Sequence, residues 1–260
     1  MCFICKRLII FGTRSRTKVR IDSFTFTSKG GRERNEDSVI AQHSEEKGIF
    51  IVADGLGGHK DGDIASQSVV SFIKEKWLSI ADRSFSRKWI EETVSDTNKL
   101  LWSTQEEKHS NMRSTLALLL IDGEKSAWAN VGDSRVYYLR DGEITGITDD
   151  HSVAFMKYKW GEILRSDIPK DPDQSRLLRA LGDKERNRPD IYENPLPVRK
   201  GDAFLLCSDG LWEYLNDLEI AIDYLKSLTA REWGERLLQR VIERVHEGND
   251  NLSLVAVRIE

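Results

Sequence analysis

Cysteine is scarce in this chain of 260 residues, proline is confined to one stretch, and no apolar run is long enough to cross a bilayer. Cys2, Cys5 and Cys207 are an odd set, and Cys207 lies inside the apolar run AFLLCSD. That pattern excludes a secreted disulfide framework and fits a reducing cytosol, so the expected location is cytoplasmic. Cys2 and Cys5 form a CxxC, but a lone CxxC at a terminus lacks the second ligand pair that a structural zinc needs. Charge of one sign is also missing. The 39 Lys and Arg residues and 43 Asp and Glu residues are interspersed and give a net charge of -4, with no footprint for nucleic acid.

Residues 1–20 combine a short apolar stretch with Lys6, Arg7, Arg14, Arg16, Lys18 and Arg20. Charges interrupt the stretch well short of the ~20 residues that a membrane span requires. No small-residue cleavage site follows it as in a signal peptide. It reads as a flexible basic leader, with membrane-surface contact through the basic residues as the alternative. All five prolines fall between Pro169 and Pro197. Residues 150–176, polar and without strong periodicity, read as a mobile surface flap. The remainder, 21–260, is expected to form one domain.

What the chain does contain is a series of apolar and β-branched runs between turn signals. IDSFTFTS, DSVIA, GIFIVAD, STLALLLID, SAWANVGD, SRVYYL, EITGIT, AFLLCSD and LSLVAVRIE read as strands, several of them buried on both faces. Helical spacing appears over residues 62–80, 86–107 and 229–246. Strands grouped between helices predict an α+β fold in which sheets pack face to face and helices cover the outside.

Aspartate recurs where these strands begin or end. Asp54 closes GIFIVAD and opens DGLGGHKDG, Asp209 closes AFLLCSD, and Asp250 precedes LSLVAVRI. Each alone is explained as a turn former. Gathered at the edge of a β core they would repel one another and lose hydration, a cost that divalent cations offset. Oxygen donors favour hard ions such as Mg²⁺ and Mn²⁺. Gly55 can expose its carbonyl as a ligand, while Gly57 and Gly58 let the backbone approach an ion or phosphate. Upstream, Glu36 and Asp37 precede a strand, and Arg32 has the fork geometry that binds phosphate oxygens. Asp133, in NVGDSRVYYLRDG, would by itself be a hairpin residue.

In order along the chain, RERNED, VADGLGGHKDGDIAS, ANVGDSRVYYLRDGEI, TDDHS, LLRALGD, LLCSDGLW and GNDNLSLVAV resemble the motifs of type 2C (PPM) metal-dependent serine/threonine protein phosphatases of the bacterial branch. The resemblance runs over roughly residues 22–260. It implies a four-layer αββα sandwich of two antiparallel sheets flanked by helix pairs, with two Mn²⁺ or Mg²⁺ ions, and a third at a weaker site, at one end. By motif position Asp54 would bridge two ions, Gly55 would offer its carbonyl to the first, and Asp209 and Asp250 would hold the second. Glu36 and Asp37 would act through coordinated water, Asp133 would help form the third site, and Arg32 would clamp the substrate phosphate. The implied activity is hydrolysis of phosphoserine and phosphothreonine in proteins by a monomer, reversing a Ser/Thr kinase. The implied chemistry requires no covalent phosphoenzyme, which agrees with the absence of any CxxxxxR segment of the cysteine-phosphatase type.

Three positions depart from the family pattern. Leu56 stands where animal members carry a histidine, leaving His59 or water to supply the leaving-group proton. Arg113 replaces a common glycine in MRSTLALLL and would either tune substrate choice or hinder metal binding. His151 is expected to fix the entrance of the flap by hydrogen bonding. Two rival readings share the scaffold: a catalytically silent phosphoprotein-binding relative, and a small-molecule phosphohydrolase.

Overall fold

The architecture follows from strands that are apolar on both faces. The computed structural model describes residues 19–57 and 61–260. Cys2, Cys5, Gly58 and His59, with most of the expected leader, lie outside the described residues. At the end of the stretch expected as leader, Val19 is buried and the backbone of Arg20 pairs with that of Glu260.

One antiparallel sheet contains, in spatial order, β1 (Ile21–Ser28), β11 (Leu252–Ile259), β10 (Ala203–Cys207), β7 (Arg135–Arg140) and β8 (Glu143–Ile147). The other contains β2 (Asp37–His43), β3 (Lys47–Leu56), β5 (Leu116–Asp122), β6 (Lys125–Val131) and β9 (Asp190–Glu193), and β4 (Arg113–Ser114) pairs with the end of β3. The sheets share an apolar layer made by Phe50, Val52, Leu119, Val136, Tyr138, Phe204, Leu206 and Val255. Alternate residues of the same strands point outward. Ile49, Ile51, Leu118 and Leu120 pack under α1 (Gly62–Ser79) and α2 (Arg87–Lys108), whereas Leu205, Leu254 and Ala256 pack under α5 (Asp217–Leu225) and α6 (Ala230–Ile242). A period of two with both faces buried thus produces four layers, αββα, as the motif resemblance implied.

The helix ends are set locally. Ser86 Oγ accepts from the Trp89 amide at the start of α2, and Thr229 Oγ1 accepts from Glu232 at the start of α6. The last helix stops at Ile242 rather than at 246. Helix α5 has no helical period in its sequence, since Leu218, Ile220, Ile222 and Tyr224 occupy every second position. A reciprocal cap between Asn216 and Glu219 nucleates it instead. The stretch 150–176 is more regular than expected. It holds α3 (Val153–Lys159) and a 3-10 turn over Arg165–Lys170, anchored by buried Phe155 and Ile168.

Glu219 also ties α5 to α6 through Arg240 and Arg244. The bond from Arg244 holds its carboxyl down to about 2, against an ordinary value of 4.5. A depressed folded-state value stabilises the protein fully above the unfolded value, and that contribution is lost as pH falls. Glu219→Gln should therefore cost about 1 kcal/mol at pH 7 in urea unfolding. The gap from wild type should close as pH falls from 4.5 towards 2.

Candidate active site

The end of the sandwich where β3 leaves and β10 arrives gathers carboxylates from both sheets. Asp37 opens β2 and lies opposite Asp54 across the β2–β3 ladder. Strand β3 does not stop at Asp54 as its sequence suggested, because Gly55 and Leu56 continue it by pairing with Ser114 and Arg113. Asp209 opens α4 (Asp209–Trp212) directly after β10, and Asp250 lies just before β11. Asp133 is not in a hairpin. It sits between β6 and β7, which belong to different sheets, so its short connection crosses the end of the sandwich. Arg32, Glu36, Asp54, Gly55, Asp133, Asp209 and Asp250 all line one cleft of about 540 Å³, and Asp37 lies buried behind it.

Neutral groups fix the backbone around Asp54. Its amide donates to Thr115 Oγ1 at 2.9 Å, and its carbonyl accepts from the Thr115 amide at 2.8 Å and from Ser114 Oγ at 3.1 Å. Among the described residues, no donor reaches its carboxylate. Gly55 is required for close approach, since a Cβ there would stand 1.9 Å from the Gly62 carbonyl. That contact seats the start of α1 against β3.

Electrostatics at this end are unfavourable throughout. Burial first, then the charges of Asp37, Asp209, Asp133 and Asp250, pushes the Asp54 carboxyl far above the usual range. Burial pushes Asp37 up to about 7, against the opposing hydrogen bonds of Ser253 and Ser208, and Asp209 up to about 6. Asp133 is raised by burial and by Asp209, and Glu36 by burial and by Asp63 and Asp250. Among the described residues, no three His, Cys, Asp or Glu side chains enclose a single point by themselves. The donor set nevertheless suits hard cations: oxygen only, with several carboxylates, one of them without a hydrogen-bond donor among the described residues.

Sequence reasoning missed several supports. Asn251 accepts from the Glu36 amide at 2.7 Å and donates to the carbonyls of Lys29 and Arg34, pinning the β1–β2 loop beside Asp250. Ser208 Oγ donates to Asp37 at 2.8 Å. Arg135 and Asp150 form a buried two-pronged pair at 2.8 and 2.6 Å, and Arg135 stacks 3.6 Å from the ring centre of Trp212. The Trp212 indole N–H donates to the Asp133 carbonyl at 2.9 Å, so this stack supports the crossing that carries Asp133. Glu213, one turn after Asp209, is pushed up to about 8 by burial and by Asp209 and Asp250. The signals available were the Asn that follows Asp250 and the Trp and Glu that follow DGL.

The remaining expectations resolve geometrically. Arg32 donates to Asp250 Oδ2 at 2.7 Å. Arg113 does not line the cleft, and its guanidinium lies 3.8 Å from Asp183. His151 is buried and bonds as anticipated. Its Nδ1 accepts from the Gly132 amide, which leaves Nε2 as the donor to Asp190 at 3.2 Å. Its carbonyl accepts from Leu178, beyond the flap stretch. Ser175, at the end of that stretch, and Leu177, just after it, line the cleft.

Residues 29–245 match the family model described as protein phosphatase 2C. The serine/threonine phosphatase stp of Listeria monocytogenes serotype 4b is 30% identical over 232 residues, covering 87% of this chain and 90% of its own. The solved serine/threonine phosphatase of S. agalactiae superposes with a TM-score of 0.81 at 25% identity, over 92% of this chain and 100% of that one. The solved catalytic domain of the serine/threonine protein phosphatase PstP, in complex with two manganese ions, gives 0.78 at 28% identity, over 93% of this chain and 99% of that one.

Two stability measurements test this account of the cleft. Arg135→Ala strands Asp150 in the interior and should cost about 3–5 kcal/mol in urea unfolding. Replacing Arg135 and Asp150 together by Met and Leu should recover much of that loss. A carboxyl raised in the folded state contributes stability below its unfolded pKa and loses it as pH rises through the folded value. Metal-free Asp54→Asn should therefore melt higher than wild type at pH 7.5, with the difference shrinking towards pH 4. Mn²⁺ should raise the melting temperature of wild type far more than that of Asp54→Asn.

Proposed function

The chain belongs to the protein phosphatase 2C family and is a serine/threonine phosphatase; from that premise we propose that it uses two divalent cations, Mn²⁺ or Mg²⁺, at the carboxylate cleft to dephosphorylate proteins. The observation that carries the reading is the Asp54 carboxylate, without a hydrogen-bond donor among the described residues and surrounded by like charges. Such a group is tolerable when cations are its partners. The two manganese ions of the PstP relative support the same count.

In this proposal the Asp54 carboxylate, the Gly55 carbonyl, Asp209 and Asp250 would hold the two ions. Glu36 and Asp37 contribute through water, and Asp133 serves a weaker third site. When bound, the ions supply Lewis acidity, which makes water nucleophilic near neutral pH and offsets phosphoryl charge. The protein's own share is placement. Arg32 offers two donors to the phosphoryl oxygens and trades its bond to Asp250 for one to substrate. Leu56 lines the cleft and cannot move a proton, so protonation of the leaving seryl or threonyl oxygen falls to His59 or to water. We further propose that the enzyme acts as a monomer on the substrates of a cognate Ser/Thr kinase. The low cysteine count supports a reducing, cytoplasmic setting. No helix among the described residues is long and apolar enough to cross a membrane.

The test is hydrolysis of a phosphothreonyl peptide with Mn²⁺ or with excess EDTA, using okadaic acid to control for contaminating phosphatases. Turnover should require the metal and ignore the inhibitor. Asp54→Asn should lower kcat by at least about 10³-fold, and Arg32→Ala should mainly raise KM, by about tenfold. Wild-type activity that survives EDTA would remove the metal role, and near-normal turnover by Asp54→Asn would remove the site assignment.

A further inference from the structure

The cleft is lined by a second arginine, to which the motif resemblance assigns no role. Arg34 lies two residues after Arg32 in the same loop, and both line the cavity. Their surroundings differ. Arg32 is engaged by Asp250 at 2.7 Å, a full charge-assisted hydrogen bond. Arg34 lies 3.8 Å from Asp63, too far for a hydrogen bond, although both arginine side chains are about equally exposed. Its backbone is not free to wander, because Asn251 Nδ2 donates to the Arg34 carbonyl at 2.8 Å. The loop thus presents a fixed base with a loosely held guanidinium on the Glu36 and Asp63 side of the cleft.

Charge counting gives that guanidinium a task. Glu36, Asp37, Asp54, Asp133, Asp209 and Asp250 bring six negative charges when ionised, and two divalent ions return four. Arg32 returns one more. With Glu33 also lining the cleft and Asp63 beside Arg34, the remaining negative charge opposes entry of a phosphate monoester dianion, and a further cation at the rim reduces it. We propose that Arg34 is a second phosphate-holding residue, contacting the phosphoryl oxygens from the side of the cleft away from the Arg32–Asp250 pair. The inference rests on the phosphatase reading for its substrate and extends it to a residue outside the metal set. Arginine suits the position because its fork can bond two oxygens at once, which lysine cannot do.

The experiment compares Arg34→Ala and Arg34→Lys with wild type on two substrates, p-nitrophenyl phosphate and a phosphothreonyl peptide without acidic flanking residues. Alongside, binding of inorganic phosphate to the Mn²⁺-loaded protein is measured by calorimetry, which needs no turnover. Arg34→Ala should raise KM for both substrates and the phosphate dissociation constant by about five- to tenfold, with kcat within about twofold. Arg34→Lys should fall between. Unchanged phosphate affinity would overturn the proposal, as would a loss confined to peptides with acidic neighbours. A shift in Mn²⁺ half-saturation with phosphate affinity intact would also overturn it, assigning Arg34 to the metal instead. If wild type turned over neither substrate while Arg34→Ala still weakened phosphate binding, the inference would stand and the phosphatase reading would fall.

Discussion

Mutual repulsion among buried carboxylates is the constraint around which this molecule is built. Asp37 and Asp54 lie opposite one another in one sheet, and Asp209 and Asp250 approach from the other. Asp133 spans the gap between them. Each raises the proton affinity of its neighbours, with burial as the larger cause. Left to themselves such groups would separate or draw in water. They stay because each is attached to backbone that the sandwich fixes for other reasons: a β ladder, a helix start, a sheet-to-sheet crossing. The stability needed to hold them comes from the three apolar layers, which lie away from the cleft.

Around Asp54 the neighbouring polar residues hold backbone rather than neutralise charge. Thr115 and Ser114 hold the main chain of Asp54, and Asn251 holds three segments of the adjoining loop. The buried ion pair of Arg135 with Asp150 spends its charge internally and uses the Arg135 face to steady Trp212. Among the described residues, that division leaves the Asp54 carboxylate without a hydrogen-bond donor. A site that satisfied all its carboxylates with side chains would be more stable and would have less affinity for cations.

Much of this was legible in the sequence because two signals are strong. Strands such as β3, β5 and β11 alternate between two apolar faces, and that pattern alone places them between a partner sheet and a helix layer. The carboxylates could be found because they sit at strand boundaries, with glycine beside Asp54 and Asp209. Other features depend on contacts that no local pattern records. Asp133 read as a hairpin residue because β6 and β7 adjoin in sequence, and only the pairing of β7 with β10 shows that the chain changes sheets there. Helix α5 was hidden by its two-residue apolar period. Arg113 looked like an intruder in the site until the position of Asp183, 70 residues away in sequence, turned it aside. The roles of Asn251 and Trp212 are likewise long-range, since one binds a loop more than 200 residues earlier and the other the turn at Asp133.

The central claim is that these carboxylates are gathered to hold cations. Anomalous diffraction from crystals grown with Mn²⁺ tests it most directly. The account predicts two strong peaks in the cleft within about 4 Å of each other, both in contact with the Asp54 carboxylate. Peaks elsewhere on the protein, or none between Asp54 and Asp209 at saturating Mn²⁺, would contradict it.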